Sequence, residues 1–190
     1  MALALPVAAA VALGLLLGGK VSRLAELHLR RWWLFFVAIA LQVVAFPVGV
    51  LPWSTDERVA TTLWLASYAL LIVAAVLNAR IKGVPIVALG MCMNLVAIVA
   101  NGGTMPVRPE AVLAAGDDYG TEANSTAMAD AHLSWLVDRW AAPDWIPLAN
   151  VFSIGDVVIA VGAVVIVLSA MGIRVPRPLK SRDADTSTLM

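Results

Sequence analysis

The residue of this chain best suited to chemistry is Asp156, an acid within the last apolar run, Leu148 to Ile173. An ionised carboxylate in a hydrocarbon environment costs several kcal/mol, so a chain that keeps one there usually has a partner or a use for it. Asp156 is therefore the first candidate for a binding or catalytic group.

Two interpretations of Asp156 follow from where its helix begins. If Pro147 lies in the first turn, Asp156 lies about 13 Å further along the helix and is a buried acid. If Ser153 is the N-cap, Ser153-Ile154-Gly155-Asp156 is a capping box, and backbone N–H groups satisfy the carboxylate near the positive end of the helix dipole. The second interpretation also explains why residues 147–152 do not resemble a helix. The sequence leaves both open.

Other polar residues are expected at the same end of the molecule. The fourth apolar run ends at Asn101 and the fifth begins near Asp156, so in an up-and-down bundle these two residues can meet. The predicted polar cluster consists of Asn94, Asn101, His132, Asp144, Ser153 and Asp156. We expect no metal, because one histidine without ligand spacing makes a poor site, and no cofactor. Ser153 as a nucleophile lacks a recognisable base or a G-x-S-x-G context.

The chain that must position these residues is unusually apolar. Hydrophobic residues make up 61% of the sequence and charged residues 14%, and the mean hydropathy is +0.88. Soluble domains contain about a quarter charged residues, so water is not the main solvent of this chain. The formal net charge is zero, and no basic patch indicates nucleic-acid binding. The single cysteine, Cys92, excludes an internal disulfide.

Five apolar runs predict the fold, because a helix of about 20 apolar residues can cross a bilayer. We predict an all-α integral membrane bundle of five transmembrane helices in one domain, 1–173, followed by a disordered cytoplasmic tail, 174–190. The predicted spans are 2–19, 32–52, 57–77, 84–100 and 150–173, and the outer loop is 101–149. Within that loop, Met128 to Trp140 has an apolar face and an acidic face, so we expect an amphipathic helix.

The distribution of lysine and arginine predicts an orientation. The segments after the first, third and fifth runs hold ten of these residues, and the segments on the other side hold three. By the positive-inside tendency, the N-terminus lies outside and the C-terminus lies in the cytoplasm. We therefore expect a multi-pass protein of the plasma membrane, surrounded by the lipid bilayer.

Shorter signals predict where helices end and pack. Ser54 to Glu57 matches a capping box before the third helix, and Pro85 suits the first turn of the fourth. Asn101-Gly102-Gly103 suits the C-terminus of that fourth helix. Gly14 and Gly18 have the spacing of a close contact between helices.

Three motifs, in this order, resemble a prokaryotic membrane-protein family known only as domain-of-unknown-function family 5317. They are Asn101-Gly102-Gly103-Thr104-Met105-Pro106-Val107, Asp144-Trp145-Ile146-Pro147-Leu148 and Ser153-Ile154-Gly155-Asp156. Gly18-Gly19-Lys20, Leu24-Ala25 and Arg31-Trp32-Trp33 look similar to the first loop of that family. The family has a glycine and a proline where this chain has Pro143 and Ala149.

The resemblance implies an intact prokaryotic membrane protein without an established activity. It supports the predicted fold and location, and it does not supply a function. Through its motifs it adds further residues to the predicted site, namely Gly102, Gly103, Met105, Pro106 and Gly155.

The function favoured by the sequence is a non-catalytic membrane module, because the polar cluster lacks catalytic geometry. We expect it to bind a lipid-like ligand or a partner membrane protein at the outer end of helices four and five. A second copy of the chain is another candidate partner. One alternative is a membrane enzyme or ion-coupled carrier with Asp156 as the protonatable group, and another is an accessory subunit of a larger membrane complex.

Overall fold

The computed structural model is mostly helical, as predicted, and describes residues 4–46, 54–115, 125–143 and 151–173. Its α-helices are α1 (Ala4–Leu16), α2 (Trp33–Ala45), α3 (Glu57–Leu77), α4 (Val84–Ala100), α5 (Pro109–Ala114) and α6 (Ile154–Ala170). A 3-10 helix, Val21–Glu26, follows α1. Short strands are β1 (Met105–Val107), β2 (Ser125–Ala127), β3 (Trp140–Ala141) and β4 (Val151–Phe152). The predicted tail, 174–190, lies outside the described residues.

The predicted bounds are those observed for α3 and α4. Within the described residues, α1 ends at Leu16 rather than at 19, α2 ends at Ala45, and α6 ends at Ala170 rather than at 173. Within the four described ranges, α3, with 21 residues, is the one helix long and apolar enough to cross a membrane. The shorter helices α1, α2, α4 and α6 are apolar and have 13 to 17 residues. The five-span bundle therefore stays a prediction.

The five longer helices pack in a row that differs from their order along the chain. α2 packs on α3, α3 on α4, α4 on α6, and α6 on α1. The bond from Gln42 Nε2 to Ser67 Oγ, 3.0 Å long, joins α2 to α3. Because α4 and α6 are neighbours, the polar residues that each carries can meet.

Paired glycines set the close approach of α4 and α6. A methyl group on Gly90 would lie 2.5 Å from the carbonyl oxygen of Gly155, and one on Gly83 would lie 2.5 Å from that of Gly162. Each helix thus repeats glycine at a seven-residue interval, which keeps the glycines on one face over two turns. Gly83, near the start of α4, faces Gly162 in the middle of α6, and Gly90, further along α4, faces Gly155 at the start of α6. The two helices are therefore antiparallel.

The helix ends confirm some of the local signals and correct others. Pro85 lies in the first turn of α4, and Gly102 and Gly103, with φ of 76° and 97°, follow its C-cap, Asn101. The N-cap of α3 is Asp56, which accepts hydrogen bonds from the N–H groups of Arg58 and Val59. The prediction of a capping box with Ser54 as the N-cap is therefore wrong. Asp56 caps the helix instead, because its own carboxylate reaches the free N–H groups.

The Gly14 and Gly18 pair does not form a shared packing face. Gly14 is buried, and a methyl group there would meet the end of the Met171 side chain. Gly18 has a φ of 81° and lies in the turn after α1, with no heavy atom within 4 Å of an added methyl group. Gly18 therefore serves the turn, where a left-handed residue is needed.

A cap of irregular structure covers one end of the helix row; we define it as the described residues 102–115, 125–143 and 151–152. In it, β1 pairs in parallel with β2, and β3 pairs antiparallel with β4. Met105 and Leu136 of the cap join Trp64, Ala97 and Ile98 of α3 and α4 in a buried hydrophobic cluster. The cap is thus packed onto the bundle.

The predicted amphipathic helix from Met128 to Trp140 is wrong, because this segment forms turns and strand pairs. The Asp138 N–H donates to the Pro106 carbonyl at 3.0 Å, and the Arg139 N–H donates to the Phe152 carbonyl at 3.1 Å. Leu133 has a φ of 53°, which interrupts a right-handed helix. Backbone hydrogen bonds to residues distant in the sequence therefore form here in place of the local hydrogen bonds of a helix.

Candidate functional site

Asp156 lies in the first turn of α6 as part of a capping box, so the second interpretation of this residue is confirmed. The Asp156 N–H donates to Ser153 Oγ at 3.1 Å, and the Ser153 N–H donates to Asp156 Oδ2 at 2.9 Å. The carboxylate therefore lies near the positive end of the helix dipole, where a negative charge is stabilised. Pro147 and the other residues between 144 and 150 lie outside the described part of the chain.

Asn94 of α4 joins this capping box from the neighbouring helix. Its Nδ2 donates to Asp156 Oδ1 at 2.9 Å, and its Oδ1 lies 3.0 Å from Ser153 Oγ. Ser153 Oγ also lies 2.8 Å from Asp156 Oδ2, so its single proton has two acceptors within reach. We call Asn94, Ser153 and Asp156 the Asn94 network.

Gly155 makes this contact between the helices possible. A methyl group on Gly155 would overlap Asn94 Oδ1. Asn94 and Ser153 are buried, whereas Asp156 is half-buried. The Asn94 network is thus built into the α4–α6 contact, and Asp156 is its most accessible member.

Asn101 and His132 form a separate pair rather than joining the Asn94 network. Asn101 Nδ2 donates to the His132 carbonyl at 2.9 Å, and the His132 N–H donates to Asn101 Oδ1 at 2.8 Å. His132 takes part through its backbone, and the residue is exposed. The pair therefore attaches the cap to the end of α4.

The other predicted site residues build the junction between α4 and the cap. Gly103 lies against Thr61 of α3, where an added methyl group would overlap the threonine side chain. Gly102 continues the turn, and Met105 and Pro106 are buried in β1. Asp144 lies outside the described residues, so its place in the predicted cluster stays a prediction.

Two polar residues near the Asn94 network were missed in the sequence. Tyr68 of α3 lies beside Asn94, and the carboxylates of Asp156 and Asp138 are close enough to act on its hydroxyl. Asp138 is buried in the cap. No local sequence pattern marks either residue. Each comes close to the Asn94 network only because α3 and the cap pack on α4.

The arrangement is suited to holding helices together rather than to nucleophilic chemistry. The Ser153 side chain is fully buried, and its hydroxyl is engaged by Asn94 and Asp156. Among the described residues, no three histidine, cysteine or acidic side chains come together as metal ligands.

The fold and site define a mostly helical protein of apolar helices, with the Asn94 network at the end of α6 that the cap covers. A family model with the description Family of unknown function (DUF5317) matches residues 26–168, which is more than half of the chain. The chain belongs to this family, and the resemblance seen in its motifs is confirmed. No curated protein and no solved structure matches it.

Proposed function

We propose that the chain is an integral membrane protein in which α1, α2, α3, α4 and α6 lie in the bilayer, with the N-terminus outside and the C-terminus in the cytoplasm. The support is the apolar surface of these helices. Large exposed side chains occur on each of them, among them Leu16, Phe36, Val76, Leu89, Val99 and Val161. Lipid would cover this surface, since extended exposed apolar surfaces mark contact with a membrane or with another protein.

The helix lengths are compatible with this proposal at the short end of the range. α4 and α6 have 17 residues each, or about 25 Å, against a hydrocarbon core of roughly 30 Å. Short spans are accommodated by local thinning of the bilayer and by flanking side chains that reach the interface. α1 and α2, with 13 residues, need their flanking turns to reach across.

We further propose that the protein is a non-catalytic module that binds a partner membrane protein through the cap. The observation that carries this proposal is the aromatic surface of the cap, which leaves Trp135 53% and Trp140 41% exposed. Trp140 packs near Phe152, and the Arg139 guanidinium lies 5.1 Å from the Trp140 ring centroid. Tryptophan and arginine are enriched among the residues that dominate binding at protein interfaces.

The way the cap is held favours recognition over catalysis. Its backbone is bonded to Asn101, and its apolar side chains are packed into the bundle, so the exposed indoles start from a fixed position. A preformed surface loses less conformational freedom on binding. An accessory subunit of a larger membrane complex is the form of this function that best fits the chain.

To test this function, the protein is cross-linked to its partner in native membranes and the complex is isolated. Trp135→Ala should reduce the yield of the cross-linked complex, because it removes an exposed anchor from the cap. Trp32→Ala, which removes a similarly exposed indole at the opposite end of the row, should leave the yield unchanged. Equal yields from all three proteins, or a tightly retained lipid without any protein partner, would contradict the proposal and favour a lipid-like ligand.

A carrier or enzyme that uses Asp156 as a protonatable group is the second candidate. It is favoured by the position of Asp156, which is half-buried and hydrogen-bonded across to Asn94 with Tyr68 nearby. An acid in such a position within a membrane is often part of an ion or proton path.

A further inference from the structure

The end of the helix row opposite the cap carries an unusual turn that joins two basic segments. Asn78, buried just after α3, accepts a hydrogen bond from the Arg30 N–H at 2.8 Å and donates to the Arg30 carbonyl at 3.0 Å. It also donates to the Ala74 carbonyl at 2.7 Å. One side chain therefore clamps the loop before α2 onto the end of α3.

The clamp brings four exposed cations to one end of the molecule. Arg30 and Arg31 lie on the clamped loop, and Arg80 and Lys82 follow Asn78 in the turn before α4. We call these four residues the basic surface. The cations at Arg80 and Lys82 also suit the negative end of the α3 dipole.

Arg31 occupies a backbone position that favours glycine. Its φ is 55°, in the left-handed region that L side chains rarely adopt. The two Asn78 hydrogen bonds to the preceding residue hold the turn in this conformation. Strained residues of this kind cluster at binding sites, because there the side chain contributes more than the strain costs.

An exposed aromatic pair flanks the basic surface. Trp32 and Phe36 of α2 are 60% and 63% exposed and pack edge to face with ring centroids 5.5 Å apart. An apolar surface of aromatic rings directly beside arginines matches the boundary between acyl chains and headgroups in a bilayer.

We propose that the basic surface binds the phosphate headgroup of an anionic phospholipid in the cytoplasmic leaflet, with Trp32 and Phe36 against its acyl chains. This inference rests on the proposed membrane orientation and goes beyond the proposed binding of a partner at the cap. Charge complementarity selects an anionic lipid over a zwitterionic one, and the fixed position of Arg31 distinguishes a built site from a general attraction.

Native mass spectrometry of the full chain, reconstituted with equimolar phosphatidylglycerol and phosphatidylcholine, tests the proposal. Wild-type protein should retain phosphatidylglycerol in preference, and Arg31→Gly should lower that preference about fivefold, the worth of one cation near a membrane surface. The thermal unfolding temperature of Arg31→Gly should be equal to or above that of the wild type, because glycine relieves the left-handed strain.

Two matched variants complete the experiment. Lys20→Gln removes a cation of the same loop, but beside α1 and α6 rather than beside α2 and α3. There the Lys20 N–H bonds to the Met171 carbonyl, so this variant should leave the preference unchanged. Leu133→Gly relieves a second left-handed residue that is not glycine, in the cap, and should also leave the preference unchanged. An unchanged preference in Arg31→Gly, or an equal loss in Lys20→Gln, would overturn the site while the membrane proposal stands. A chain that does not enter the bilayer at all would overturn the membrane proposal itself.

Discussion

At the scale of single residues, Asp156 is tolerated among apolar helices because each carboxylate oxygen has a partner. One oxygen accepts from Asn94, and the other accepts from the backbone of Ser153. Hydrogen bonds from neutral donors stabilise a carboxylate without the cost of bringing a second charge out of water. Capping and contact between helices are therefore two roles of the same group.

The substitution Asp156→Asn separates the two candidate functions. An asparagine amide replaces one acceptor oxygen with a donor, so we expect a loss of about 1 kcal/mol or more in the free energy of unfolding, while partner binding persists. Thermal unfolding in detergent measures this loss. Asp130→Asn, the same change at an exposed position of the cap, should have no effect. Unchanged stability of Asp156→Asn together with lost transport would instead support the carrier.

At the scale of elements, the antiparallel contact of α4 and α6 depends on backbone meeting backbone. Gly90 and Gly155 lie face to face, as do Gly83 and Gly162. In a membrane, where lipid is as apolar as the helices, close packing and hydrogen bonds between helices supply the association. The glycines also bring Asn94 close enough to reach the start of α6.

A test of this contact compares two glycines that lie within helices. Gly90→Ala should destabilise the protein by about 1–3 kcal/mol, because the methyl group meets a backbone carbonyl that cannot move aside. Gly14→Ala should cost much less, because its methyl group meets the flexible end of Met171. Thermal unfolding of the two variants gives the comparison. Equal effects would show that the α4–α6 spacing is not set by these glycines.

At the scale of the whole molecule, the cap and the basic surface lie at opposite ends of one row of helices. α4 runs from the turn that holds Arg80 and Lys82 to the residues that anchor the cap, so it connects the two ends directly. The proposed orientation therefore places a protein-binding surface and a lipid-binding surface on different sides of the membrane.

Cysteine labelling in intact cells tests this orientation. In a Cys92→Ser background, Leu113→Cys in the cap should react with a membrane-impermeant maleimide added outside. Ser22→Cys, in the 3-10 helix after α1, should react only after the membrane is permeabilised. Both positions are exposed, so burial does not decide the result. Labelling of both in intact cells, or of Ser22→Cys alone, would contradict the proposed orientation.

The sequence by itself determined those features that depend on neighbouring residues. The bounds of α3 and α4, the glycine turn after Asn101 and the capping box at Ser153 were all predicted, because a helix end is decided by side chains within about four positions of it. The capping box remained one of two options, since the sequence alone did not decide whether the helix began earlier.

Only the tertiary structure decided which of the predicted polar residues meet. Asn94 and Asp156 are 62 positions apart, and their contact depends on α4 packing against α6 rather than on any local pattern. The same long-range effect turned the predicted amphipathic helix into strand pairs, because the backbone groups of Asp138 and Arg139 found partners in β1 and β4. Periodicity identifies an apolar face, and the rest of the fold decides whether a helix or a paired strand is the more stable way to bury it.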